Sequence, residues 1–424
     1  MADQAELYLR GLIQAERKNM ERMAEVVADA DHQQLHHFTT NAGWDERAVF
    51  DQVALEADTV LGGDADTCLL IDESSFVKKG EHSVGVTRQW CGRLGKLENC
   101  QVGVFASLCK GTRHTLIDAR LYLPKDWIAD PERCRKLGVP QKEIVARSKA
   151  EHALAMVKHA RALGIRFNWV GMDAGYGKEP WLLRALEASN EIFVADIHKS
   201  QMVYLADPEL HVPEKKPGRG RGPARLQART EAIRVDRWAA QQPAEAWQTV
   251  TLRDSTRGKL KIEALHRRVW LWDGSEPAPR CWHLIVRREP ASPDTIKYSL
   301  SNAPADTPLP RLAVMQAARF WVERSFQDAK SECGMADYQV RRWSAWHHHM
   351  AMVMIAMLFM LGERLRQQAE RPLLSCGDIV YLLKNHLPRQ AVDEHELLEQ
   401  VRKRHQQRQA AIDSARRKQA RSLQ

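Results

Sequence analysis

Apolar side chains recur at helical spacing over residues 5–29, where Leu7, Leu9, Leu12, Ile13, Met20, Met23, Val26 and Val27 stand among charges. This predicts a helix, and a second one follows the turn TTNAG over Trp44–Leu61. From residue 66 the pattern changes to short apolar runs bounded by Gly and polar turns: TCLLIDESSF, NCQVGVFASLCKG and HTLIDARLYLP. Three such runs joined by short loops predict an antiparallel meander. Helical spacing returns over 141–163 through Ile144, Val145, Leu154, Val157 and Leu163, and leads into the strand RFNWVGMD. A helix over 179–189 and the strand EIFVADI follow. WQTVTLR, KIEALHRRVWLW and RCWHLIVRRE then predict strands, so 240–303 reads as a small β unit inserted before the last core helix. Two helical segments, 311–332 and 343–366, precede a basic end that is either a solvated helix or a frayed tail.

Three antiparallel strands followed by two helix-linked strands is the order of a ribonuclease H-like fold. The expected class is α/β, a mixed sheet with flanking helices, a β-rich insertion and an N-terminal helical domain. The divisions are 1–62, helical; 63–205, the first part of the core; 206–310, a basic loop and the β-rich insertion; 311–366, the final core helices; and 367–424, a helical basic tail. The first unit either contacts DNA or braces the core. No long internal repeat is present.

Composition narrows the partners. A 424-residue chain with 44% hydrophobic content can bury a sizeable core, and its net charge of +9 is gathered in patches, which suits a partner carrying phosphates. The densest patch runs from Lys215 to Arg237 and includes Lys216, Arg219 and Arg221; it reads as a mobile, phosphate-seeking loop. Eight cysteines occur without a CxxC pair, which indicates neither a zinc ribbon nor a redox motif, and reduced thiols are expected. The first thirty residues have no apolar signal-peptide core, and MAMVMIAMLFML spans only twelve residues, so a buried helix, no membrane partner and a cytoplasmic location are expected.

Three carboxylates sit in segments suited to metal-dependent phosphodiester chemistry. Asp72 lies on a strand in LLIDESSF, sharing its face with Leu70 and Ser74. Its neighbour Glu73 is the rival for the same role. Asp173 follows WVGM at a strand's carboxyl end, where α/β sheets place ligands. Glu323 lies on a helix with Arg319 four positions before it and Lys330 seven after, or it belongs to a plain surface ion pair. Lys78, Lys79, Arg88 and Arg93 follow the first strand and either bind phosphates or form a solvated hairpin. Trp270, Trp272 and Trp282 either pack in the inserted β unit or stack on a base, a contact worth about 1–3 kcal/mol. His347, His348 and His349 point about 100° apart on consecutive helix positions and cannot share one ion; they read as a polar helix face.

The blocks LLIDESSFVKKGEHSVGVTRQWCGRLGKLENCQVGVF, LIDARLYLPKDW, VGMDAGYG and FWVERSFQDAKSECGMADYQVRRWSAWHHHMAM closely resemble DDE transposases of the insertion-sequence 701 family, relatives of the insertion-sequence 4 group. The resemblance covers most of the chain. It implies that Asp72, Asp173 and Glu323 form a catalytic triad holding two Mg²⁺ ions, with Mn²⁺ as a substitute, and that Arg319 and Lys330 assist. The wider group's motif of Tyr, Arg, Glu and Lys falls on Gln316, Arg319, Glu323 and Lys330, so the Tyr is absent. The implied reaction cuts the ends of an insertion sequence and joins the freed 3′-hydroxyls to target DNA, in a homodimer on double-stranded terminal repeats, within a bacterial-type nucleoid. No Walker-type GxxxxGK[ST] is present. A catalytically silent DNA-binding regulator and a structure-selective nuclease on the same fold are the alternatives.

Overall fold

The computed structural model describes residues 1–214, 225–255 and 258–422. Four helices open the chain: α1 (Ala2–Gln14), α2 (Met20–Val26), α3 (His32–Thr40) and α4 (Glu46–Leu61). The expected helix over 5–29 is broken in two, because Asn19 caps α2 by accepting a hydrogen bond from the Arg22 amide. Asp31 and Asp45 cap α3 and α4 in the same way.

The strands β1 (Thr67–Val77), β2 (Thr87–Cys91), β3 (Lys96–Lys110) and β4 (Arg113–Leu121) follow. They are four rather than three, since β2 pairs with the outer part of β3 as an extra arm. Next come α5 (Lys125–Ile128), α6 (Pro131–Lys136), α7 (Lys149–Ala162), β5 (Trp169–Met172), α8 (Ala174–Gly177), α9 (Pro180–Ala188) and β6 (Phe193–Ile197). Helix α7 starts eight residues later than its apolar spacing suggests, at the Ser148 and Glu151 capping box. A two-stranded pair, β7 (Met202–Val203) and β8 (Ile233–Arg234), and α10 (Val235–Ala240) lead to β9 (Gln248–Ser255), β10 (Gly258–Leu271), β11 (Arg280–Glu289) and β12 (Ser292–Ser301). The chain closes with α11 (Leu309–Ala318), α12 (Phe320–Ser331), α13 (Trp343–Arg366), α14 (Cys376–His386) and α15 (Glu394–Ser422).

Ten strands form one mixed sheet. Strand β3 lies between β4 and β1, and β5 and β6 add in parallel beyond β1. This is the ribonuclease H-like arrangement. The β unit at 240–303 is not separate from it, since β12 pairs antiparallel with β6 and carries the sheet on through β11, β10 and β9. The strand SPDTIKYSLS that makes this junction was not anticipated, because its first half is polar and exposed while Tyr298–Ser301 is buried.

Each face of the sheet has its own core. Cys68 and Leu70 of β1, with Phe105 and Trp169, pack under α1, α3, α12 and α13. Leu69 and Ile71, with Val104, Val170 and Met172, pack under α4, α7 and α9. This alternation sends Asp72 toward α12 and Glu73 toward α7. Helix α13 is long and apolar enough on composition to cross a membrane, with a mean hydropathy of 1.3, yet 78% of that window is buried.

The three consecutive histidines of α13 do not form a polar face. All are buried, and each takes a different partner. His348 sets its ring nitrogens 2.9 Å from the Thr39 carbonyl and 3.0 Å from the Trp44 carbonyl and stacks on Trp44 at 3.8 Å. His349 Nδ1 lies 2.9 Å from the Tyr8 hydroxyl, and His347 Nδ1 lies 2.9 Å from the Trp343 carbonyl. Their spacing already ruled out a shared ion; burial turns them into pins between α13 and the N-terminal helices.

Burial drives the pKa of His347 and of His349 down to about 3. The unfolded chain binds protons on these rings below about pH 6.5, while the folded chain does not. Stability should therefore fall as pH drops from about 6.5 toward 3. His347→Phe, which keeps a ring between Trp343 and Trp346, should make thermal unfolding less steep in pH over this window. An unchanged slope would mean that the ring takes up protons in the folded state.

Candidate active site

The register of three parallel strands builds the site. Ile71 of β1 pairs with Met172 of β5, and Met172 pairs with Ala195 of β6. The residue that follows each of these in the chain is an aspartate: Asp72 on β1, Asp173 just past the end of β5, and Asp196 on β6. Asp196 in turn pairs with Ser299 of β12. A row of three acids and a hydroxyl thus crosses the sheet on the face covered by α11 and α12. Gly171 sits where an added Cβ would meet the Leu70 side chain at 2.5 Å, so a larger residue here would have to displace Leu70 at the β1 to β5 junction.

Asp173 ends β5 and caps α8. Its Oδ1 accepts from the amides of Gly175 at 2.9 Å and Tyr176 at 3.3 Å. The turn is pressed onto β6: a Cβ on Gly177 would lie 1.9 Å from the Asp196 carbonyl oxygen. The AGYG sequence after Asp173 therefore reflects close backbone approach.

Arg319 stands at the break between α11 and α12 and reaches three carboxylates. Its Nε donates to Asp196 at 3.0 Å, one terminal nitrogen to Asp72 at 3.3 Å and the other to Glu323 at 2.7 Å. An exposed pair four residues apart on a helix contributes only about 0.3–0.5 kcal/mol. Glu323 is half-exposed, so the buried Asp72 and the half-buried Asp196 do most to hold the guanidinium. Burial would lower the Arg319 pKa, but Asp196, Asp72, Glu323 and Asp173 together carry it above its usual value.

Asp72 is 8% exposed. Burial, with Asp173 beside it, pushes its pKa up to about 7 against the opposing pull of Arg319. Burial likewise raises Asp173, again against Arg319. Glu73 points to the opposite face, where its carboxylate lies 2.6 Å from Lys149 Nζ at the start of α7. The rivalry between Asp72 and Glu73 is therefore uneven, since only Asp72 touches Arg319.

Other sequence candidates scatter. Lys330 is half-buried, 5.7 Å from the centre of the Phe326 ring and 6.0 Å from that of Phe76, and burial lowers its pKa. Lys78 departs from the expected phosphate contact. It donates to the Tyr338 carbonyl at 3.0 Å, lies 3.4 Å from that ring's centre, and burial brings its pKa down to about 7. Lys79, Arg88 and Arg93 are exposed. Lys215, Lys216, Arg219 and Arg221 lie outside the described residues. Trp270 is half-buried and its backbone bridges to Tyr204. Trp272 donates to the Glu276 carbonyl at 2.8 Å and, with Trp282, lines a cleft beside α8 and α9. Trp282 is a core residue that donates to Glu187 at 2.6 Å.

Two features escaped the sequence. Asp196 was read as part of a strand, and only the register reveals it beside Asp173. Helix α12 is also fastened from below: His114 Nδ1 and Ser107 Oγ each lie 2.9 Å from Ser325 Oγ, and His114 stacks on Trp321. This buried Ser, His and Asp328 cluster has the composition of a hydrolytic triad but no access to solvent; it fixes the helix that bears Glu323.

Among the described residues, no three His, Cys, Asp or Glu side chains are already gathered about one point. The terminal nitrogens of Arg319 stand between Asp72 and Glu323. The donor set nevertheless fits hard divalent cations, which take carboxylate oxygens. Asp72 is buried, Asp173 beside it is half-buried, and both are raised in pKa, a pair that added positive charge would relieve.

Residues 1–259 match the family described as DDE superfamily endonuclease, more than half of the chain. That match includes Asp72 and Asp173 and ends before Glu323. The chain is 23% identical over 331 residues to a protein of Microchaete diplosiphon described as a probable transposase for insertion sequence element IS701, covering 77% of this chain and 73% of that one. Among solved structures, the NurA nuclease from Sulfolobus solfataricus overlaps 76% of this chain and 93% of its own at 10% identity, with a TM-score of 0.21. That score says nothing about the site.

The raised Asp72 pKa has a measurable consequence. Between about pH 4, where an unfolded aspartate titrates, and pH 7, the folded chain keeps a proton that the unfolded chain releases. Stability falls as pH rises through this window and levels above it. With divalent ions chelated, Asp72→Asn should gain stability relative to the unsubstituted protein from pH 4 to 7, measured as the difference in melting temperature. A difference independent of pH would show that Asp72 is ionised throughout.

Proposed function

This chain belongs to the DDE superfamily endonucleases, and we propose that within that family it is a DNA transposase, cutting the ends of an insertion sequence and joining the 3′-hydroxyl ends to target DNA. One observation carries the reading. The strand register sets Asp72 and Asp173 side by side, and Arg319 links Asp72 to Glu323 from the helix above. The relative in Microchaete diplosiphon supports the same reading by its description.

In this proposal Asp72, Asp173 and Glu323 hold two Mg²⁺ ions, with Mn²⁺ as a substitute. When bound, such ions neutralise charge on the attacking and leaving oxygens of a phosphodiester. The chain's own residues prepare the site. Asp173 is held in place because its Oδ1 takes two backbone amides. Arg319 orients Asp72 and Glu323 and offers positive charge to a phosphate. Lys330, half-buried and within electrostatic reach of Asp72, adds a second cation. The substrate is double-stranded DNA with terminal repeats, bound by two copies of the chain at a bacterial nucleoid. The silent-regulator reading is disfavoured because all three acids and both cations of the motif are present.

Asp72→Asn, Asp173→Asn and Glu323→Gln should each abolish strand cleavage while end binding persists, whereas Glu73→Gln should retain activity. The assay supplies Mg²⁺ and DNA carrying the element's terminal inverted repeats. Cleavage without joined product would leave a nuclease, and full activity of the Asp72 variant would transfer its role to Glu73. Lys79→Ala and Arg88→Ala should each lower the salt dependence of DNA binding by about one phosphate contact. Lys78→Met should not, and a reduced slope for it would show that its ammonium leaves Tyr338 to meet DNA.

A further inference from the structure

The carboxylate of Asp196 is held on both sides. One oxygen accepts from Arg319 Nε at 3.0 Å, and the other accepts from the Ser299 hydroxyl. Ser299 Oγ accepts in turn from Gln316 Nε2 at 2.7 Å, and Gln316 stands on α11 three residues before Arg319. The links form a closed loop from β6 through β12 to α11 and back through Arg319. Its sheet members, Asp196 and Ser299, continue the row that carries Asp72 and Asp173.

A guanidinium is a rigid planar fork, so fixing its Nε–H fixes the direction of both terminal nitrogens. We infer that Asp196 is the positioning residue of Arg319: by holding Nε, it aims one terminal nitrogen at Asp72 and the other at Glu323. Asp72 and Glu323 could not do this alone. Each holds one terminal nitrogen, and Glu323 is on the exposed side of the helix, with 53% of its side chain accessible. Asp196 grips from the sheet, where β6 is paired on both sides and α8 rests against its carbonyl through Gly177. Gln316 thereby has a function inside the protein. It is 2% exposed and braces the clamp.

The consequence for DNA cleavage rests on the transposase reading; the clamp does not. Asp196→Ala should reduce kcat for end cleavage by about 10–100-fold, the usual cost of losing a group that orients a site ligand, with KM for the DNA end retained. Asp196→Asn, which keeps an oxygen acceptor without the charge, should recover part of the rate. Ser299→Ala, a smaller change, should lower kcat in the same direction and serves if Asp196→Ala folds poorly. Adding Asp196→Ala to Arg319→Lys should cost nothing beyond Arg319→Lys alone, since both act through one fork. Losses that multiply would overturn the inference.

A readout without DNA separates the clamp from the reaction. In ¹⁵N-arginine-labelled protein, the Arg319 Nε–H resonance, identified by its absence in Arg319→Lys, should exchange slowly with solvent and should lose that protection in Asp196→Ala. Protection that survives in Asp196→Ala overturns the clamp. If the unsubstituted protein fails to cut DNA while the protection behaves as expected, the transposase reading falls and the clamp stands.

Discussion

A row of buried and half-buried carboxylates beside one arginine is the constraint on which the site depends. Parallel pairing of β1, β5 and β6 leaves no choice about where Asp72, Asp173 and Asp196 lie once Ile71, Met172 and Ala195 are in register. Gathered acids in a low-dielectric place resist ionisation, and Asp72 shows this in its pKa of about 7. Arg319 offsets part of that cost. It does so from the break between two helices, so the position of α12 is tied electrostatically to the sheet beneath it.

The rest of the architecture serves that tie. Strand β12 does more than extend the sheet, because it brings Ser299 into the row and gives Asp196 its second partner. Beneath α12, the buried Ser107, His114 and Ser325 hold the helix on β3 and β4. Above the other end of the sheet, His348 and His349 fasten the N-terminal helices to α13, which shares its core with α12. The helix carrying Glu323 is thus fixed by packing at its base and by charge at its start.

Local pattern made much of this legible. Apolar runs bounded by turns gave β1, β3, β4, β5 and β6, and the uninterrupted apolar segment gave α13 over Trp343–Arg366, the range expected for it. Polar strands were less visible. β2 and β12 lack a clear apolar alternation in sequence, and their pairing is supplied by neighbours, β3 for β2, and β6 and β11 for β12. The candidates that departed from expectation were charged or polar groups read as exposed. Lys78 and the three histidines carry the composition of a surface, and only tertiary packing could show that carbonyls and rings enclose them. Asp196 was invisible for a related reason, since FVADI contains nothing that marks its aspartate until Ala195 is found beside Met172.

Gln316 shows how one substitution changes the meaning of a motif. Where the resembling group has Tyr, this chain has a side chain that is 2% exposed and spends its amide on Ser299. Among the described residues its Oε1 has no hydrogen-bond partner. A residue so placed faces the sheet. In this chain the motif's first position supports Arg319 through Ser299 and Asp196.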